Sequence, residues 1–210
     1  VLMDTLKQLY NLLWFCKKVQ IPFEVYAFTS DFPYGVDPET GERPPSYNKV
    51  KNTVDIPHWF SLMNMFTSKC NNKTLESQMK NIFRVVSAMD HETYTIYREP
   101  SAMRLSGTPL NETLLALHKI LPKFKKEHNL QKVQCVILTD GEAQPMRVTR
   151  QVHRHWEDEP YLGTVYMGNN CFLRDRKTGN TYNMNVEWYQ QTDVLIQNLK
   201  HNFPDMNFIG

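Results

Sequence analysis

Two short stretches carry side chains that could do chemistry together. "LSGTPLNETLLALHKI", Leu105 to Ile120, is a Gly-Thr-Pro opening onto a helix, and "VQCVILTDGEA", Val133 to Ala143, is an apolar strand stopping on an aspartate. Proline is favoured at the first helical position, so Thr108 before Pro109 is the natural N-cap. In open α/β sheets functional groups collect at the carboxyl ends of the strands, where Asp140 falls. A hydroxyl and a carboxylate converging there are hard oxygen donors suited to Mg²⁺ or Ca²⁺. Gly107 and Gly141 allow tight backbone turns around such an ion. The same residues also read as an N-cap and a strand-terminal turn, both common structural devices.

Other candidates are weaker. "HRHWEDE", His153 to Glu159, lacks the H-E-x-x-H spacing of a zinc helix and reads as a solvated, charged helix end. No phosphate-binding loop, dinucleotide fingerprint or G-x-S-x-G occurs. His118 and His128 lie on the helix after Pro109 with no nucleophile to pair with. Cys135 falls mid-strand and reads as a small core residue. The four tryptophans are dispersed and form no stacking pattern.

The elements that must position these groups follow from periodicity. Leu2, Leu6, Leu9, Leu13 and Cys16 mark one face of a helix to about Val19, ended by Pro22. Phe23–Thr29 reads as a strand, and "HWFSLMNMFT" as a strand with helix as its rival. Leu75, Met79, Ile82, Phe83 and Val86 mark a second helix, with Asn72 or Thr74 as its cap. A third runs from Pro109 to about His128, with Pro122 expected to kink or shorten it. Val133–Thr139 reads as a strand buried on both faces of a parallel sheet. "YLGTVYMG" reads as a strand, "RKTGN" as a hairpin turn, and Thr192–His201 as a helix before a last strand. Strands alternating with helices predict one α/β domain over 1–210, a three-layer sandwich with a mostly parallel sheet. Residues 31–57, rich in Pro, Gly and Asn, read as an insertion. Both ends read as cut within elements, at Val1 and at "MNFIG".

Composition bounds the class. The chain has 210 residues, 41% hydrophobic, with formal net charge +2. The basic residues are scattered along it, so neither nucleic acid nor membrane is expected as partner. Four widely spaced cysteines, with no C-x-x-C, predict free thiols and a cytoplasmic protein.

"SGTPLNETLLAL" followed by "VILTDGEA" resembles the second and third motifs of a von Willebrand factor A domain, whose metal-ion-dependent adhesion site they help to build. The match is nearest the intracellular branch that works with AAA+ ATPases, including cobalt- and magnesium-chelatase subunits and tailed-phage relatives. If the protein is phage-encoded, its place would be the host cytoplasm. The resemblance implies Thr108 as a direct ligand and Asp140 as a direct or water-mediated ligand of Mg²⁺ (or Mn²⁺ or Ca²⁺). Gly107, Gly141 and Glu142 would support them. The family's first motif, D-x-S-x-S, would lie upstream of Val1.

The resemblance further implies a partner protein, an AAA+ ATPase, supplying a carboxylate to the ion. If Phe23–Thr29 runs parallel to the Val133 strand, the insertion and the loops 90–107 and 168–187 rim the ion. Asp31, Tyr34 and Arg104 are then expected to meet the partner. Two other functions stay open: a subunit of an ATP-dependent metal chelatase or peptidase-like enzyme with catalysis elsewhere, and a degenerate structural domain without metal.

Overall fold

A computed structural model describes residues 2–30, 48–89, 103–139, 141–156, 158–168 and 170–209. In chain order these form α1 (Leu2–Lys18), β1 (Glu24–Thr29), β2 (Val54–Asp55), β3 (Ser61–Thr67), α2 (Asn72–Met89) and α3 (Leu110–Glu127). Then come β4 (Val133–Val136), β5 (Arg147–Val152), β6 (Tyr161–Tyr166), β7 (Phe172–Arg174), β8 (Thr181–Asn183), α4 (Gln191–Asn202) and β9 (Met206–Ile209). The fold is mixed α/β, with four α-helices and several small, mostly antiparallel sheets among the described residues. The largely parallel sheet expected from the sequence is represented by one parallel pair, β4 with β9. The chain divides into two compact units: residues 1–33 with 61–107, and residues 34–60 with 108–210.

In the first unit the helices α1 and α2 bury their apolar faces with Phe23 and Phe66. Leu6, Leu13, Leu75, Met79, Ile82 and Val86 complete that core. The four- and three-residue steps of the α1 pattern put Leu6 and Leu13 on one face, as burial requires. Leu2, at the end of the same row, is exposed. Tyr10 sets its ring edge-on to Phe66 and donates its hydroxyl to the Met79 carbonyl, tying the two helices. Burial pushes that phenol up to about 12. The cap of α2 is Asn71 rather than Asn72 or Thr74: its side-chain oxygen accepts the Thr74 N–H at 2.8 Å. The segment Ser61–Thr67 is a strand, antiparallel to β1 with a bulge at Val25/Tyr26.

Thr29 closes that strand pair. Its buried hydroxyl lies 2.9 Å from the carbonyl oxygens of both Arg104 and Ser106 and accepts the Ser106 N–H at 3.0 Å. Gly107 follows with φ +69, and a Cβ there would run into the Ser30 hydroxyl. Two constraints, a left-handed backbone and no room, demand glycine.

In the second unit Leu114, Leu117 and Leu121 of α3 and Leu195 and Leu199 of α4 are buried with Val133, Phe203 and Met206. Helix α3 runs through Pro122 to Glu127 without being shortened. Strand β4 is shorter than expected and is not buried on both faces. Val133 alone is buried, whereas Val136 and Leu138 are exposed. Strands β2, β5 and β6 form a separate antiparallel sheet. His153 to Trp156, and Asp158 with Glu159, lie between β5 and β6 and not at the expected helix end.

The hairpin β7–β8 turns where "RKTGN" predicts, with Gly179 at φ +78. It is fastened to α4 by Asp175, which accepts from the side-chain amides of Asn198 (2.8 Å) and Asn202. Tyr182 adds a 2.8 Å hydroxyl contact to His201 Nδ1. All described cysteines are free thiols. Cys171 is buried, whereas Cys16 and Cys135 are only partly so.

Candidate functional site

The mouth of α3 differs in detail from the sequence expectation. Thr108 is not the N-cap; Pro109 holds that position at φ −79, ψ 53, and the helix begins at Leu110. No side chain caps the helix there. The reason is positional: Pro109, buried, takes the cap position, so Thr108 stands one residue outside it. Its hydroxyl is thereby released from capping.

The two motif segments do meet. The Thr108 carbonyl accepts the Gln144 N–H at 3.4 Å. A Cβ on Gly141 would lie 2.8 Å from Thr108 Oγ1, so glycine is what allows the loop after β4 to close on the hydroxyl. Thr139 shapes the same turn from the other side, its hydroxyl 3.1 Å from the Gly141 carbonyl and 3.3 Å from the Gly141 nitrogen. Asp140, between them, lies outside the described residues, as do Asp31 and Tyr34. Glu142 is exposed. Gly107 and Arg104 belong to the first unit, where Arg104 is exposed and its carbonyl serves Thr29.

Three buried polar residues escaped sequence reasoning, and two of them fix this loop. Asn111, fully buried, donates to the Gln144 carbonyl at 2.9 Å and accepts the Thr192 hydroxyl at 2.9 Å. Gln191 accepts the Met146 N–H at 2.8 Å and donates to the Met167 carbonyl at 3.0 Å. Their only sequence signal is a polar residue on a helix face that is otherwise apolar. Satisfied on both sides, each amide ties the loop to the helices at little desolvation cost.

Glu112 is the third, 7% exposed, with Oε2 buried and without a hydrogen-bond partner. A glutamate three residues after the cap commonly reaches back to the cap N–H. Here the cap is proline and has none. Burial raises the pKa of this carboxyl, against the opposing pull of its own N–H and of Arg147.

Thr108 offers a hydroxyl oxygen beside the Gly141 turn, and Glu112, one helical turn on in sequence, carries an orphaned buried carboxylate oxygen. That chemistry fits a hard divalent cation, for which oxygen ligands are the norm. Among the described residues no group of three or more His, Cys, Asp or Glu side chains is placed to hold a metal. Comparison with family models, with curated proteins and with solved structures finds no match to this chain.

Proposed function

We propose that the chain is a protein-interaction module of the von Willebrand factor A type, in which a divalent ion at Thr108 and Asp140 is needed for partner binding. The observation that carries this reading is the closure of the Gly141 turn on the Thr108 hydroxyl, which brings the two motif segments together. Supporting it, β4 enters that turn as one member of a parallel pair, as expected for a sheet of the α/β sandwich class. Thr108 would contribute its hydroxyl and Asp140 its carboxylate. Bound there, Mg²⁺ would supply a positive centre able to accept one carboxylate from a partner, an AAA+ ATPase in a chelatase-like complex. The residues of this chain hold the loop: Asn111 and Gln191 fix its backbone, and Gly141 gives it room.

No D-x-S-x-S occurs in the 210 residues, so the reading requires further oxygen donors from outside them. The test is titration of the natural full-length protein with Mn²⁺ followed by electron paramagnetic resonance. Stoichiometric binding is expected, lost in Asp140→Asn and weakened in Thr108→Val. Binding unchanged in both variants, or absent from the parent protein, sinks the ion reading and favours a structural domain without metal.

A further inference from the structure

The basic residues that are scattered in sequence do not stay scattered in the second unit. Register pairs Arg147 with Tyr166, Thr149 with Thr164 and Gln151 with Leu162. These three rungs alternate along the strands, so they share one face of the β5–β6 ribbon. A cation stands at each. Lys51 Nζ donates to Gln151 Oε1 at 3.0 Å and Lys49 Nζ to Thr164 Oγ1 at 3.0 Å. The Arg147 guanidinium lies 5.0 Å from the centre of the Trp59 ring and 5.5 Å from that of Tyr166. Successive rungs are about 7 Å apart, two residues of extended chain.

The chemistry of the row suits anions. Both lysine ammoniums bond to neutral oxygens, and none of the three cations has an ion pair among the described residues. Two aromatic rings flank Arg147, whose guanidinium carries the fork of donors with which arginine binds a carboxylate bidentately. The carboxylate on the face, Asp55, is engaged by the Thr164 hydroxyl at 3.0 Å. Asp158 and Glu159 are exposed in the β5–β6 connection, beyond the Lys51 rung. They mark the end of the row, since an anion placed further on would meet like charge.

We propose that this face docks an acidic, extended segment of a partner protein, with carboxylates at alternate residues set against Arg147, Lys49 and Lys51. Charge complementarity selects an anion, and three further features select a peptide. Side chains on one side of an extended peptide repeat every two residues, the same step as the cations. Strand β6 is the edge of its sheet among the described residues, so the backbone of such a segment can continue the ladder. Leu162 (40% exposed) and Tyr166 (65% exposed) offer apolar contact between the charges. This surface goes beyond the ion reading and stands or falls without it.

The test uses a fluorescein-labelled peptide with glutamate at every second position, followed by anisotropy at low salt. Lys49→Gln with Lys51→Gln should weaken binding about fivefold, from two exposed charge contacts of ordinary strength. Both lysines are exposed, so the fold should survive, and circular dichroism checks it. Arg147→Lys keeps the charge but loses the ring-held fork, and should also weaken binding. Higher salt should lower the affinity, while a chelator should leave it unchanged; that last result separates this surface from the ion site. Unchanged affinity in the double variant would overturn the proposal. Equal binding of a lysine-for-glutamate peptide, or displacement of the peptide by oligothymidylate of equal charge, would overturn it too.

Discussion

Asp175→Ala should unfasten the β7–β8 hairpin from α4, and the size of the effect can be worked from the contacts. The carboxylate accepts four hydrogen bonds: from the side-chain amides of Asn198 and Asn202, and from the N–H groups of Lys177 (2.7 Å) and Thr178 (3.2 Å). Asn198 is buried, so truncating Asp175 leaves its amide unsatisfied, a cost of about 1–3 kcal/mol. The two turn bonds are exposed and add roughly 0.5 kcal/mol together, since water replaces them. A loss of about 2 kcal/mol is therefore expected in urea unfolding of the second unit, read by circular dichroism.

Asp175→Asn keeps the shape and one acceptor and should cost less. Burial works against the ionised form of Asp175, yet the bonds from Asn202, Asn198, Lys177 and Thr178 hold its carboxyl well below the usual range. Its contribution is thus complete above the unfolded value of about 3.9 and is lost as pH falls through the folded value. The gap between parent and Asp175→Asn should narrow below about pH 4. A gap that is flat with pH, or an alanine variant within about 0.5 kcal/mol of the parent, would refute the clamp.

Two further outcomes follow from single residues. Gly107→Ala should destabilise the first unit by more than the roughly 1–2 kcal/mol of a left-handed alanine, because the new methyl also meets the Ser30 hydroxyl; thermal unfolding measures it. Glu112 has a raised folded value, so its contribution is fully present below the unfolded value of about 4.3 and declines as pH rises through the folded one. Glu112→Gln should remove that decline, and urea midpoints from pH 4 to 8 that fall equally in both proteins would exclude it.

The sequence made the helices legible because their evidence is periodic and local. Leu75, Met79, Ile82 and Val86 repeat at helical spacing and are all buried. The strand Arg147–Val152 escaped because its residues carry no such repeat: Arg150 and Gln151 interrupt its valines, and its place is set by pairing with β6 rather than by its own pattern. The long strand expected after Val133 ends early for a related reason. An apolar run states what could be buried, while burial itself depends on neighbours supplied by the rest of the chain. The site divides along the same line. Thr108 and Gly141 were readable because a Gly-Thr-Pro and an Asp-Gly are local turn signals. Asn111, Glu112 and Gln191 were not, since their roles arise from chain segments 24 to 81 residues away for the two amides and, for Glu112, from a proline that removes its usual partner.

The same reasoning explains how a chain of net charge +2 can carry a concentrated basic face. Lys49 and Lys51 lie nearly 100 residues from Arg147 in sequence, and only the pairing of β2 with β5 brings them to one ribbon. Net charge is a sum over the whole chain and is blind to this; recognition depends on which charges share a face. An expectation about partners drawn from composition therefore describes the average surface, and the docking surface is the departure from that average.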